Sequence, residues 1–530
     1  KASVVQSVLS YAVNTDKTVE KVLSEKYPYF SKFSDEINEI KKQYEKKKVA
    51  SNSMDYDDLL VRWKWLLANV PKAHTYLSEK FKYIMVDEYQ DTNLLQSDII
   101  DLLASKHKNV LVVGDDAQAI YSFRGARVDN ILTFPKRFAG TKMFKLETNY
   151  RSTPEILALA NDSLSNNIHQ FPKELKAVNP PLEKPALVEV PDHYSQAAFI
   201  AQRIMEFRDE GKSLRDIAIL FRAHYQSAEL EMELVKRDIP YIIRGGIRFF
   251  EQAHIKDVLA YLKIAANPVD EISWIRALSL NQGIGAGYAA RIFEHFQKIG
   301  VGLKNFLTMN ISDIVPPRAQ GGFSRFKNLI DKLLAETTHG NVPAMIDTVL
   351  NSGYETHILA NFENGKDRLD DIRELANFSH GYQTLTEFLS DITLREGFRG
   401  ETILKAGEMP EDEDNLILTT IHQAKGLEWD VVMIIGLSEG QFPHARSYAD
   451  ENEMEEERRL FYVASTRAKK YLYLIHPATR FDYQKGTIIA RHSRFLEELS
   501  REDYEVWEVG TGAHDNYRDA AWDSGEEMEL

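Results

Sequence analysis

Short β-rich runs at residues 83–86, 110–113, 186–190 and 217–221 alternate with helical patterns, vanish from about residue 251 to 410, and return from Asn415 in LILTTIH, VVMIIGL and YLYLIHP. Such alternation predicts parallel sheets joined by crossover helices, an α/β fold. The silent stretch carries helical periodicity instead, as in IKDVLAYLKIAANP and FKNLIDKLLAET. Three returning strands lack enough partners for a sheet of their own, so one α/β unit is interrupted by a helical insertion and then resumed. The acidic EDED at residues 411–414 marks the re-entry. Residues 1–72 read as helical, with DEINEIKKQYEKKK setting mixed charge around spaced apolar positions. No internal repeat or low-complexity tract appears.

Size and charge narrow the function classes. A chain of 530 residues predicts about three or four domains. With 43% hydrophobic and 27% charged residues the composition is that of a soluble globular protein, and no apolar stretch is long enough to cross a bilayer. Zero cysteines exclude disulfides, thiolate metal sites and cysteine nucleophiles. A net charge of -15 argues against nonspecific adhesion to polyanions, so contact with nucleic acid needs a local groove. Residues 1–50, with ten lysines against seven acids, are the basic exception. The last thirty residues, with ten acids and two arginines, read as a solvated tail.

YIMVDEYQDTN, residues 83–93, closes a strand pattern on Asp87 and Glu88, with Asp91 close behind. Carboxylates there are costly unless a cation neutralises them. Ligands of an open parallel sheet lie beyond the carboxyl ends of its strands. An Asp at that point can hold Mg²⁺, and a Glu beside it can deprotonate an attacking water. Taken alone, such a pair more often caps the next helix. VVGDDAQAIYSFRGA, residues 112–126, adds the neutral amide of Gln118, suited to sensing a phosphate. Its Tyr121, Phe123 and Arg124 suit stacking on unpaired bases, about 1–3 kcal/mol per base, and would otherwise be core aromatics and a surface cation. LETNYRS offers Tyr150 and Arg151, and RRLFYVASTRA offers Arg467, either arginine in isolation being a surface ion-pair candidate. TTIHQAKGLEWDVV sets His422, Lys425, Gly426 and Glu428 between two strands.

In their order along the chain and their spacing the five segments resemble the superfamily 1 helicases of the UvrD/Rep/PcrA group, and the resemblance covers nearly the whole chain, from the lysine-rich helices and MDYDDLL at 54–60 to SRFLEEL at 493–499. It implies two RecA-like P-loop NTPase lobes, each with a helical insertion, ATP in the cleft between them and single-stranded DNA across the top. The implied division is 1–72 (insertion of the first lobe), 73–145 (first lobe), 146–250 and 413–500 (second lobe), 251–412 (insertion of the second lobe) and 501–530 (acidic tail). By the same resemblance Asp87 and Glu88 are metal ligands, Glu88 also being the catalytic base. Gln118 is the γ-phosphate sensor, and Arg151 and Arg467 are arginine fingers. Tyr150 stacks on adenine, while Glu428, with Gly426 beside it, contacts the nucleotide. Tyr121, Phe123 and Arg124 form the DNA-stacking group, and His422 couples it to the nucleotide. NQGIGAGYAARI resembles a hairpin whose Gly283 and Gly285 let amides approach duplex phosphates, the alternative being a glycine-rich helix stop. In YIIRGGIRFFEQAHIKD a glycine pair permits a tight hinge-like path. Ala119 and Phe123 stand where relatives often have Ser and Trp.

The implied activity is ATP- and Mg²⁺-dependent 3′ to 5′ translocation on single-stranded DNA with unwinding at single/double-strand junctions. It would serve repair or replication with loading proteins, in the bacterial cytoplasm at the nucleoid. The family's phosphate loop, G-x-x-x-x-G-K-[ST], is missing. The one Gly-Lys-Ser, at 211–213, has Glu206 where the first glycine belongs and precedes a strand. The chain therefore reads as a fragment of a motor, or as one whose first lobe is completed by another polypeptide. The rival is a nonhydrolysing DNA-binding partner that lost its loop.

Overall fold

The computed structural model describes residues 1–244, 248–300, 302–335, 338–396 and 414–509, with 394–396 as backbone only. The glycine pair Gly245 and Gly246, the acids at 411–413 and the chain from residue 510 lie outside them. The strands are β1 (Ile84–Val86), β2 (Val110–Val112), β3 (Thr148–Asn149), β4 (Lys176–Ala177), β5 (Ala186–Val190), β6 (Ile217–Phe221) and β7 (Tyr241–Arg244). After the helical insertion come β8 (Leu416–Thr420), β9 (Trp429–Ile434), β10 (Ala468–Pro477), β11 (Thr479–Asp482), β12 (Gly486–Ile489) and β13 (Glu505–Glu508).

One sheet dominates: β13–β5–β10–β9–β6–β8–β7, all parallel. Every residue of β6 and β8 is buried, because helices cover both faces. One face packs Ile156 and Leu159 of the helix Pro154–Ser165 and Leu460 and Phe461 of the helix Glu451–Ser465. The other packs Ile200, Ile204 and Phe207 of the helix His193–Asp209. The insertion leaves this sheet at β7 and returns at β8, which bonds to β7 with Tyr241 opposite Leu416. Between them, helices from Ala253–Ala266 to Leu385–Glu396 gather a separate core around Trp274, whose ring lies 4.9 Å from Phe296 and 4.7 Å from Phe306.

Among the described residues the first lobe has only the parallel pair β1–β2. Its inner face, Ile84, Val86, Val110 and Val112, packs on residues such as Ile99 and Tyr89. Its outer face, Met85, Leu111 and Val113, is exposed. The helices ahead of it hold a small core of their own around Val8, Val22 and Ile37. A capping box starts the helix Tyr56–Asn69, with Asp55 and Asp58 both bonded to Lys48.

The reading of everything past residue 501 as a solvated tail needs correction, because Glu505–Glu508 pairs with β5 as the sheet's edge strand. Trp507 meets Tyr473 edge-on at 5.7 Å. Two glutamates flank the short apolar pair and dominate the local composition. An edge strand tolerates them, since one of its sides stays in water.

Candidate functional site at the seam between the lobes

Asp87 and Glu88 follow β1 at its carboxyl end. Asp87 Oδ1 accepts the Glu88 amide at 2.9 Å, and Glu88 has φ 49°, a left-handed conformation costly for a residue with a Cβ. Strain of this sort persists where surroundings over-determine it, and here a chain of bonds does so. Gln90 Nε2 donates to Glu88 Oε2 at 2.5 Å, and Gln90 Oε1 accepts the Asp115 amide at 3.1 Å. The fit needs Gly114, because a Cβ there would lie 2.4 Å from Gln90 Oε1. Asp115 Oδ2 in turn accepts from Gln118 Nε2 at 2.9 Å.

The second lobe answers with cations. Lys425 Nζ donates to Asp91 Oδ2 at 2.5 Å and to the Gln118 carbonyl at 2.8 Å, and lies 3.8 Å from Glu88 Oε2. It is the protein's own neutralising cation for this acidic corner. Burial raises the Asp91 carboxyl above its ordinary pKa while Lys425 opposes the rise. Lys173 reaches Asp115 and stands 3.8 Å from Asp116, whose carboxyl burial also raises. Ala117 and Ile120 of the first lobe sit in the second lobe's apolar core.

Glu428 and Arg467 stand just ahead of β9 and β10, where the Trp429 amide donates to the Arg467 carbonyl at 3.0 Å. Arg151 Nε donates to Glu428 Oε2 at 2.5 Å, Lys469 lies 3.0 Å from Glu428 Oε1, and these bonds hold Glu428 below the usual carboxylate pKa. Arg467 is 1% exposed and spends its guanidinium on the Val463 and Leu427 carbonyls and the Thr466 hydroxyl. Burial, with Arg151 adding, pushes it down to about 10. The first lobe's Asp115 is among the charges that act on it. Tyr150 is 76% exposed, its ring face free for a flat ligand. Gly426 turns at φ 85° with open space around it.

The base-stacking candidates also bridge the lobes. Tyr121 donates to the His422 carbonyl at 3.3 Å, and the Phe123 and His422 rings meet edge-on at 5.4 Å. The Arg124 guanidinium lies 5.2 Å from the Tyr121 ring centroid and 5.4 Å from that of Phe123. Lys26, from the amino-terminal helices, donates to the Phe123 carbonyl at 3.0 Å. Burial pushes His422 down to about 3, with Arg222 and Arg124 adding, so its imidazole is neutral. Gly283 and Gly285 lie in the insertion, and their close neighbours include none of this cluster. Gly283, at φ 84°, would bring a Cβ within 2.7 Å of the Arg318 carbonyl, so helix packing already accounts for it. Gly285 precedes the helix Ala286–Ile299 in open space.

Three residues carried no site signal in the sequence. Gln90 and Asp115 look like ordinary turn residues, and Lys173 lies in the plain polar run PKELK. Lys425 was visible in its motif, but nothing local says that it crosses to Asp91. Among the described residues no group of three or more His, Cys, Asp or Glu side chains could hold a metal ion unaided. Asp87 and Glu88 are both exposed, and their carboxylate oxygens are of the kind a hard cation such as magnesium would take.

A seven-stranded parallel sheet and a second parallel pair, joined at a seam where Lys425 and Lys173 reach acids of the other lobe, make a two-lobed α/β protein of the RecA-like class. Comparison with known proteins makes the assignment particular. Residues 4–139 match the UvrD/REP helicase N-terminal domain and residues 144–478 the UvrD-like helicase C-terminal domain. The ATP-dependent DNA helicase PcrA of Bacillus subtilis (strain 168) is 34% identical over 475 residues, 87% of this chain and 64% of that protein. The PcrA of Staphylococcus aureus (strain Mu50) is 35% identical over 471 residues, 86% of this chain and 63% of its own length. That of Staphylococcus epidermidis is 33% identical over 505 residues, 93% and 67%. The chain belongs to the UvrD-like helicase family, and it spans a little under two thirds of the first two of these relatives.

Proposed function

We propose that this chain is the larger part of an ATP-driven 3′ to 5′ translocase and helicase that acts on single-stranded DNA and its junctions with duplex, in the cytoplasm at the nucleoid, in repair or replication with loading proteins. What supports it most is one seam shared by both half-sites: Lys425 of the second lobe beside Glu88 and Gln118 of the first, and Arg467 within the electrostatic reach of Asp115. In this reading Glu88 takes a proton from the attacking water through its carboxylate. Gln118, its amide held by Asp115, presents that amide to the γ-phosphate. Arg151 and Arg467 swing from Glu428 and the Leu427 carbonyl to meet charge developing on the phosphoryl oxygens. Tyr150 covers the adenine, and Glu428, once released, takes the ribose. Magnesium, held by Asp87 with Glu88 close by, would supply charge neutralisation at the phosphates. Tyr121, Phe123 and Arg124 trade grip on successive bases as the seam opens and closes, and His422 passes that motion on.

The phosphate cradle, in this proposal, comes from a segment outside residues 1–530. Gly211 lies in a helix-to-strand turn, the reverse of what a phosphate loop needs. The exposed face of β1–β2 and the outward stripe of Leu59, Trp63 and Leu66 offer apolar surface for further elements. The 530-residue chain should bind single-stranded DNA without DNA-stimulated ATP turnover, and turnover by it would sink the cradle proposal. The full natural protein should hydrolyse ATP when single-stranded DNA is added, and Glu88→Gln should lower kcat by about a hundredfold or more while DNA affinity stays. If the full protein binds DNA but never hydrolyses ATP, the nonhydrolysing partner stands instead.

A further inference from the structure

We propose that Lys173 is a positioning residue that aims the Gln118 amide from the opposite lobe, so that the sensor is in place only while the seam is closed. The role of Gln118 rests on the motor reading above. The mechanical linkage rests on geometry alone.

Lys173 stands on a stretch pinned to the second lobe. The Ile168 and His169 amides donate to Glu455 Oε1 at 2.9 and 3.3 Å, and Arg458 Nη1 donates to Asn167 Oδ1 at 2.6 Å. Gln170 Nε2 closes the turn on the Leu164 and Asn167 carbonyls, both at 2.8 Å. Glu455 and Arg458 belong to the helix Glu451–Ser465, whose apolar side is built into the large sheet's core. From this footing the chain crosses the seam. The Phe171 amide donates to Asp116 Oδ2 at 3.1 Å, and Lys173 Nζ bonds Asp115 Oδ1.

Asp115 carries the grip onward. Its Oδ1 also accepts the Ala117 amide at 3.0 Å, and its Oδ2 holds Gln118 Nε2 at 2.9 Å. Asp115 and Asp116 are adjacent carboxylates, and without a cation between them their charges repel. With Lys173 absent, Asp115 has reason to turn towards water, and the Gln118 amide loses the acceptor that fixes its rotamer. A held amide has no reorganisation left to do when charge develops beside it, and a free one does. Lys425 grips the Gln118 carbonyl from the same lobe. Two second-lobe lysines thus bracket Gln118, Lys425 at the backbone and Lys173 through Asp115. Parting the lobes removes both at once.

The test uses Lys173→Met, Lys173→Arg and Gln118→Ala. In the full natural protein with single-stranded DNA, Lys173→Met should lower kcat for ATP hydrolysis about tenfold or more with KM changed less than about twofold, and Lys173→Arg should recover most of the loss. Lys173→Met should add little to Gln118→Ala. An unchanged kcat, or the same factor lost in the Gln118→Ala background, overturns the proposal. The crystal structure of Lys173→Met in the 530-residue chain decides the linkage without any turnover: the Gln118 to Asp115 bond should be gone, their separation exceeding about 3.5 Å. A retained bond refutes the linkage. Failure of even the unsubstituted full protein to hydrolyse ATP would instead count against the motor reading.

Discussion

IMV and VLV in the first lobe and IAILF and WDVVMI in the second are the same kind of sequence, yet they end in different surroundings. The second lobe's strands lie in a seven-stranded sheet covered on both faces, whereas the first lobe's pair leaves Met85, Leu111 and Val113 in water. The residues proposed for chemistry, Glu88 and Gln118, nevertheless sit on the less covered lobe. Their order is borrowed. Ala117 and Ile120 are buried in the second lobe's core, and Lys425 and Lys173 hold the polar groups around them. A β-rich run announces a strand, while coverage and rigidity depend on what else arrives.

The contrast has measurable edges. Phe461→Ala, in the second lobe's core, should cost about 3–5 kcal/mol in urea denaturation. Met85→Ala, at a residue 75% exposed, should stay within about 0.5 kcal/mol. Equal costs would mean that the first sheet is covered after all. Ion pairs should divide along the same line. Arg222 meets Glu457 through both carboxylate oxygens at 2.6–3.1 Å, so Glu457→Ala strands a guanidinium and should cost about 3 kcal/mol. Asp98→Ala, which breaks the first lobe's half-exposed pair with Lys64, should cost less than about 1 kcal/mol by the same assay.

Acid should act on His422 and on the buried carboxyls of the seam with opposite sign. The His422 pKa is depressed to about 3, so the unfolded chain takes up the proton first as pH falls below about 6.5. The stability contributed by the neutral imidazole is complete above that value and is lost progressively on acidification. Asp91 and Asp116 have raised pKa values, so their contribution is complete below the ordinary carboxylate range and is lost as pH rises. Between pH 6.5 and 5 the protein should therefore lose about 1.5 kcal/mol more than His422→Gln does, read from urea midpoints at each pH. The smallest effect belongs to the edge strand. Trp507→Ala should cost about 1 kcal/mol, and a result near zero would restore the view of this segment as a loose tail.

Much of the candidate site was legible, because its side chains cluster within short segments. Asp87 and Glu88 follow a strand pattern directly, and His422, Lys425 and Glu428 share one loop. Tyr121, Phe123 and Arg124 lie so close in the chain that one turn must present them together. The bonds between segments were not legible. Nothing in PKELK points to Asp115, and nothing in TNYRS shows that Arg151 is tied to Glu428. The strand at Glu505–Glu508 escaped notice because acid content outweighed two apolar residues.

Local chemistry was enough to read that strands alternate with helices, that a helical block interrupts the strands, that no G-x-x-x-x-G-K-[ST] run lies within these 530 residues, and which side chains are candidates for nucleotide and DNA contact. Pairings across the seam belong to the fold. Lys425 finds Asp91 across 334 positions and Lys173 finds Asp115 across 58. The reason is range: propensity and periodicity act over a few residues along the chain, whereas an ammonium and a carboxylate so far apart in sequence meet only after two separately packed cores have fixed the distance between them.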